Sequence, residues 1–173
     1  MTAEEFNKEV FPLKNKIFRF AKRLMKTDVE AEDITQEVFI KLWHEKKELQ
    51  HYNRIEAFAM TVTKNLCLDK LKSSRYTTTT VDVDGRDLIN PGDTPQIRAE
   101  KTDHKALMNQ VIDRLPEQQK MIIHLREIEE YEFEEIVSIT GLNINVVRIN
   151  LSRARKTIKE EFIKIYNYGL GIS

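Results

Sequence analysis

The chain has 173 residues and equal numbers of basic and acidic side chains, 28 of each, so its formal net charge at pH 7 is zero. This balance argues against a uniformly basic nucleic-acid coat protein. The single cysteine, Cys67, excludes a disulfide framework and a four-cysteine zinc site. No apolar run reaches membrane-spanning length and Met1 to Lys14 lacks the features of a signal peptide, so we expect a cytoplasmic protein with no direct membrane insertion.

Glycine and proline are scarce and cluster in the middle of the chain, which predicts that both flanks are helical. We therefore predict an all-α protein with two small helical domains joined by an extended linker, the second domain being a helix-turn-helix. The expected boundaries are residues 1–76 for the first domain, 77–101 for the linker and 102–173 for the second domain.

The first domain should begin with a helix over Glu4 to Lys26, kinked or divided at Pro12. A capping-box pattern from Thr27 to Glu30 predicts that a second helix begins near Asp28. The core side of this second helix is expected to hold Ala31, Ile34, Val38, Leu42 and Trp43. Its outer side presents a mixed acidic and apolar strip, Asp33, Gln36, Glu37 and Ile40, which fits either a solvated surface or a contact with a partner helix.

A break in the periodicity over Gln50 to Arg54 precedes the third helix. Asn53, with Glu56 three residues later, predicts the start of this helix, which should run to about Arg75. One side of it carries a row of polar and basic residues, among them Lys64 and Asn65. Such a row can hold a DNA backbone or can simply be a solvated helix face. From Tyr76 to Pro95 the helical pattern is lost, and we predict an extended or disordered linker.

The second domain should resume helix near Gln96, with Pro116 in the first turn of a helix over Glu117 to Glu127. A helix-turn-helix is predicted over Glu134 to Lys159, with Gly141 at the turn. The outward residues of its second helix are of the kind that reach base edges and phosphates in a major groove: Asn145, Val146, Arg148, Ile149, Ser152 and Arg153. An ordinary helical hairpin with solvated charges fits the same pattern.

Three segments together resemble the extracytoplasmic-function sigma factors. Asp33 to Trp43, DITQEVFIKLW, resembles their D-hydrophobic-x-Q-E-hydrophobic-F-x-x-hydrophobic-W segment, and Ala57 to Leu66, AFAMTVTKNL, resembles A-W-L-x-x-I-A-R-N-L. Leu115 to Lys156 is similar to their closing domain, with its L-P, L-R-E and L-x-R-A-R-K elements. The order also agrees: acidic helix, N-L helix, linker, L-P helix and helix-turn-helix. The resemblance spans nearly the whole chain.

The resemblance implies an alternative sigma factor that binds core RNA polymerase and directs promoter recognition and transcription initiation. Its polymerase contact, on the beta-prime clamp helices, would be made by Asp33, Gln36, Glu37 and Ile40. Its minus-ten contacts, including a pocket for a flipped-out base, would be made by Tyr52, Asn53, Arg54, Lys64 and Asn65. The outward residues of the second helix-turn-helix helix would read the minus-thirty-five element. The preceding helices would pack on the beta flap, and an anti-sigma factor is the implied regulator.

The sequence departs from the family pattern at several positions. Thr61 and Thr63 stand where Arg and Ala are frequent, and Val137 stands where the turn usually has Ala. Ile149 and Asn150 replace more polar or basic residues. Asn150 stands where the family often has an arginine that would contribute to base recognition. We therefore do not predict which promoter sequence the protein reads.

Nothing in the sequence indicates catalysis. The four histidines show no metal-ligand spacing, and the five glycines form no phosphate-binding loop. We therefore expect no enzyme activity, no cofactor and no small-molecule substrate. Two alternatives that bind without catalysing remain open: a conventional helix-turn-helix regulator that binds an operator as a symmetric dimer, and a helical module that binds only protein.

Overall fold

The computed structural model describes residues 1–77 and 103–169, so the predicted linker lies almost entirely outside the described residues. Within those ranges the secondary structure is helical. In the first half the helices are α1 (Ala3–Glu9), a 3₁₀ turn (Phe11–Leu13), α2 (Lys14–Leu24), α3 (Asp28–His44), α4 (Lys46–Leu49) and α5 (Ile55–Thr77). In the second half they are α6 (Asp103–Asp113), α7 (Glu117–Ile123), a π-helical turn (His124–Ile128), α8 (Phe133–Thr140) and α9 (Ile144–Gly169).

Local sequence signals explain how the first helices begin and end. Pro12 lies in the 3₁₀ turn, so the predicted opening helix is divided into α1 and α2. At the start of α3 the Thr27 hydroxyl accepts a hydrogen bond of 3.2 Å from the backbone N–H of Glu30. The Glu30 carboxylate accepts from the N–H of Lys26 instead of Thr27, so only half of the predicted capping box forms.

The first half packs α2, α3 and α5 around a shared apolar interior. Its largest fully buried side chains are Phe20, Ile17, Ile34, Leu42, Leu49 and Met60. Trp43, predicted to lie on the core side of α3, is instead 39% exposed. It lies beside the short helices, where Phe6 meets its ring edge-on at 5.1 Å and Lys46 covers it at 3.6 Å.

The second half contains the predicted helix-turn-helix. Helix α8 ends at Gly141, whose φ of +70° is in the left-handed region that glycine adopts without steric cost. Val147, Leu151 and Ala154 of α9 are buried behind it.

The helix predicted over Glu117 to Glu127 is not uniform. It is α-helical to Ile123 and then widens into the π-helical turn. The widened turn brings His124 and Glu129 inward, where both are buried. Glu130, which follows, has a φ of 59°, a conformation that is uncommon for a residue with a side chain. The helical spacing of apolar residues in the sequence does not predict this change from α-helix to π-helix.

The two halves share one continuous apolar core, with α2 against α7 and α5 against α8. Phe20 of α2 stacks on the His124 ring, with centroids 5.6 Å apart and planes 21° from parallel. The interface between the two domains is therefore part of the protein core.

Candidate nucleic-acid and polymerase interfaces

The outer face of α9 presents the predicted base-reading residues to solvent. Asn145, Arg148, Ile149, Ser152 and Arg153 are exposed, and Val146 is partly exposed. The side chain of Asn143 accepts a hydrogen bond of 2.8 Å from the N–H of Asn145, which caps the beginning of the helix. This geometry leaves one continuous face of polar, basic and apolar side chains available to a DNA groove.

The arginines of α9 differ in their surroundings. Arg148 lies 5.8 Å from the centre of the Phe133 ring, and Arg153 is exposed. The Arg155 guanidinium is held by the Glu127 carboxylate. Arg148 and Arg153 are therefore the stronger candidates for phosphate contacts, whereas part of the charge of Arg155 is already neutralised. Asn150 donates to the carbonyl of its own helix at Val146, 2.9 Å away.

The candidate minus-ten residues lie in the loop before α5 and within α5 itself. Tyr52 stacks on Phe58, with ring centroids 4.6 Å apart, yet remains 47% exposed. Asn53 and Asn65 are exposed as well. The stacked pair forms a flat aromatic surface of the kind on which an unpaired base can pack.

The cationic residues of the same group face the second domain. The guanidinium of Arg54 donates a hydrogen bond of 3.3 Å to the Glu135 carboxylate. The ammonium group of Lys64 donates a hydrogen bond of 3.3 Å to the backbone carbonyl of Thr140 at the end of α8. Burial lowers the pKa of Lys64 below its ordinary value. A cleft between the domains places Asn53 and Arg54 opposite Glu130.

The acidic and apolar strip on α3 is exposed, as the sequence pattern indicates. Asp33, Gln36 and Glu37 point to solvent, and Ile40 is 58% exposed. Phe11 of the 3₁₀ turn is also exposed, and the centre of its ring lies 6.3 Å from that of Phe39. A surface that combines carboxylates with uncovered apolar side chains is suited to a partner helix.

A buried polar network, which the sequence pattern does not predict, joins the two domains. Arg19 forms two hydrogen bonds of 2.9 Å to Glu129, a bidentate pair in which the carboxylate side is 1% exposed. Arg23 donates to His124 Nδ1 at 3.1 Å, to Asp113 at 2.8 Å and to the Asn109 side chain at 2.8 Å. The sequence shows the acidic run that contains Glu129, but it does not show that Arg19 of α2 pairs with it.

The network fixes the ionisation of its buried members. Because Nδ1 of His124 accepts from Arg23, the ring proton lies on Nε2, which is 3.3 Å from a Glu129 oxygen without the alignment of a full hydrogen bond. Burial lowers the pKa of His124. Burial raises the pKa of Glu129, but the interactions with His124 and Arg19 outweigh it and hold that pKa at about 2. Neutral His124 beside ionised Glu129 is therefore the stable arrangement.

The described part of the chain shows neither a metal-binding cluster nor a membrane-spanning helix. Residues 1–77 and 103–169 contain no group of three or more His, Cys, Asp or Glu side chains placed to hold a metal ion. In the same ranges no helix is both long enough and apolar enough to cross a membrane.

The structure thus defines a two-domain helical protein with an aromatic loop on the first domain and an exposed helix-turn-helix face on the second. The sequence matches Sigma-70 region 2 over residues 12–77 and Sigma-70 region 4 over residues 105–158, which together cover more than half of the chain. The chain belongs to the sigma-70 family, in the extracytoplasmic-function group, as the motif resemblance predicts.

Known relatives agree with this assignment. The chain is 24% identical to the Xanthomonas campestris protein named "Probable RNA polymerase sigma factor RfaY" over 95% of this chain and 42% of that protein. It is 26% identical to the ECF RNA polymerase sigma factor SigE of Mycolicibacterium smegmatis over 87% of this chain and 58% of that protein. The chain thus spans about half the length of these two relatives.

A solved structure shares the fold. The sigma factor RpoE of Bartonella quintana, crystallised with the anti-sigma factor NepR, aligns with a TM-score of 0.72 at 19% identity. The alignment covers 91% of this chain and 96% of that one. At this identity the comparison supports the helical two-domain fold.

Proposed function

We propose that the protein is an alternative sigma factor, a cytoplasmic protein that binds core RNA polymerase and directs it to promoters. The observation that carries this proposal is the agreement between the two family matches and the exposed surfaces. Region 2 carries the uncovered acidic and apolar strip on α3, and region 4 carries the uncovered outer face of α9. The protein itself catalyses no step; the polymerase supplies the chemistry.

Each surface has a distinct role in this proposal. Asp33, Gln36, Glu37 and Ile40 bind the beta-prime clamp helices, and the exposed face of α9 reads the minus-thirty-five element. The unpaired minus-ten strand is held through stacking and phosphate contacts by Tyr52, Asn53 and Arg54 in the loop and by Lys64 and Asn65 within α5. The helices that precede the helix-turn-helix bind the beta flap.

An anti-sigma factor is the proposed regulator. Support comes from the fold shared with a sigma factor that was crystallised with one. The exposed strip on α3 and the groove beside it, lined by Lys14, Phe18 and Gln36, would be available to such a partner.

In vitro transcription tests the proposal. Purified core polymerase, with and without the protein, is supplied with fragmented genomic DNA from the same organism, and the transcript starts are mapped. We expect initiation at a defined set of sites only when the protein is present. Initiation no better than that of core alone would reject the sigma-factor function. Tight binding to duplex DNA by a dimer without polymerase would favour the conventional regulator.

A further inference from the structure

An apolar side chain, Ile149, occupies the middle of the outer face of α9. The chain of an α-helix turns by about 100° per residue, so Ile149 points almost directly away from the buried side chains of Val147 and Leu151. The residues three and four positions before and after it make up the rest of this face: Asn145, Val146, Ser152 and Arg153. Ile149 is 49% exposed, and it is therefore the residue that the floor of a bound DNA groove would meet.

The polar neighbours of Ile149 in the chain are directed to the sides of the helix. Asn150 donates to the Val146 carbonyl at 2.9 Å and to the Gln118 side chain of α7 at 3.3 Å, so its amide is turned towards protein. The Arg148 guanidinium lies on the opposite flank, 5.8 Å from the centre of the Phe133 ring. The central contact of the face is consequently apolar, formed by Ile149 and the partly exposed Val146 one turn earlier.

The charges around this apolar centre favour DNA over a protein as the group that covers it. Arg148 and Arg153 are both exposed and lie on opposite sides of Ile149 around the helix. Two cations that flank an apolar centre suit a groove, in which a phosphate backbone runs along each side of the base edges.

The base edges in the major groove differ in what they offer to an isoleucine. They present hydrogen-bond donors and acceptors, to which thymine adds an apolar C5-methyl group. Placed against a polar edge, Ile149 would displace water without replacing its hydrogen bonds, which is unfavourable. Placed against the methyl group, it removes apolar surface from water on both sides of the contact. The same side chain therefore favours thymine and disfavours the other bases at the position that it meets.

We propose that Ile149, assisted by Val146, is a specificity-determining residue that contacts the C5-methyl group of a thymine in the minus-thirty-five element. The thymine can lie on either strand, because both base edges of a pair face the same groove. This inference rests on the proposed function for the identity of the DNA, and it adds the chemical group that the centre of the face recognises.

The test removes only this methyl group. Deoxyuridine pairs with adenine as thymidine does but lacks the C5-methyl. The probe is a promoter fragment mapped in the transcription assay, made once with thymine and once with uracil at every thymine position of the minus-thirty-five segment, on both strands. Fluorescence anisotropy gives the Kd of each fragment for the complex of core polymerase with the full-length protein.

The wild-type complex should bind the uracil fragment about fourfold more weakly for each methyl group contacted, the factor expected for burial of one methyl. Ile149→Ala should bind the two fragments equally, whereas Ile149→Val, which keeps a branched apolar side chain, should retain the preference for thymine. Ile163→Ala is the matched control, because Ile163 is 50% exposed on the same helix about four turns further along. It should show the wild-type ratio of Kd values.

Four results would overturn the inference. They are equal Kd values of the wild type for the two fragments, a thymine preference that persists in Ile149→Ala, mapped promoters with no thymine in the minus-thirty-five segment, and weaker binding of Ile149→Ala to core polymerase without DNA. The last would assign Ile149 to a protein contact. The thermal midpoint of Ile149→Ala should equal that of the wild type, since the side chain is exposed.

Failure of the proposed function is a separate outcome. If the wild type initiates at no site, the sigma-factor function is rejected and the thymine contact with it. If initiation is intact and the thymine and uracil fragments bind equally, only the thymine contact is rejected.

Discussion

Arg23 of α2 donates a hydrogen bond of 3.1 Å to Nδ1 of His124, which lies about a hundred residues further along the chain and in the other domain. The Arg23 side chain is 9% exposed, and its two terminal nitrogens bind Asp113 and Asn109. One planar guanidinium thus connects α2 to both α6 and the π-helical turn, a role that the single point charge of lysine could not fill.

Substituting Arg23 by alanine should destabilise the folded protein. Three hydrogen bonds are lost and Nδ1 of the buried His124 is left unpaired, so we expect the free energy of unfolding to fall by about 2–4 kcal/mol. Urea denaturation followed by circular dichroism measures it. Lys22→Ala is the control: Lys22 pairs with Asp28 on the surface, and its loss should cost less than about 1 kcal/mol. Equal losses in the two variants would contradict the structural role of Arg23.

The element order was predictable from the sequence because its signals are local. Pro12, the Thr27 cap and Gly141 each act on the backbone within a few residues, and each is found where expected. The contact between Arg23 and His124 was not predictable, because it depends on how two amphipathic domains pack together and on a π-helical turn. Exposure of the candidate residues on α9 followed from helical periodicity, whereas the partners of Arg54 and Lys64 did not.

Gly141 should be sensitive to substitution for conformational reasons alone. A Cβ atom there would meet nothing within 4 Å, but φ is +70°. We therefore expect Gly141→Ala to lower the free energy of unfolding by about 1–2 kcal/mol, the cost of the left-handed conformation for a residue with a side chain. Gly141→Asn should cost less, because asparagine tolerates this region better. Equal stability of wild type and alanine variant in urea would mean that the turn relaxes to another conformation.

The double substitution Gln36→Ala with Glu37→Ala should weaken binding to core polymerase without affecting folding. Both side chains are exposed on α3, so the thermal midpoint should hardly change. Affinity for core, measured by fluorescence anisotropy with labelled protein, should fall by about tenfold or more if these residues lie at the centre of the contact. Glu48→Ala, an exposed acidic residue on α4, is the control and should bind like wild type. Unchanged affinity in the double variant would place the polymerase contact elsewhere.

Arg148→Ala with Arg153→Ala should reduce promoter binding and its dependence on salt. The slope of log K against log salt is negative, and each lost phosphate contact makes it less steep by about 0.9. The slope of the double variant should therefore be less steep by about two. The measurement uses the polymerase complex and a promoter fragment mapped in the transcription assay. Arg155→Ala is the matched control, since its guanidinium is already bound to Glu127. A slope equal to that of wild type would mean that other residues hold the phosphates.

Stability should fall at mildly acidic pH through His124. Burial holds its pKa below the ordinary 6.5, so the unfolded chain binds a proton more readily than the folded one. The stabilisation is fully present above pH 6.5 and is lost as the pH falls below it. Protonated His124 no longer accepts from Arg23, and it places a third cation beside Arg19 and Arg23. A second loss follows from pH 4.5 towards pH 2, where Glu129, with a pKa of about 2, becomes protonated.

Thermal unfolding between pH 7.5 and pH 5 separates the first of these effects from general acid sensitivity. We expect the midpoint of the wild type to fall over this range and that of His124→Gln, which cannot gain a proton, to fall less. His51→Gln, at an exposed histidine in the loop before α5, should follow the wild type. Hydrogen exchange on the same samples locates the loss, since an effect of His124 should appear first in the amides where α2 meets the π-helical turn. Parallel pH profiles for the wild type and His124→Gln would show that the His124 contact with Arg23 does not control the acid response.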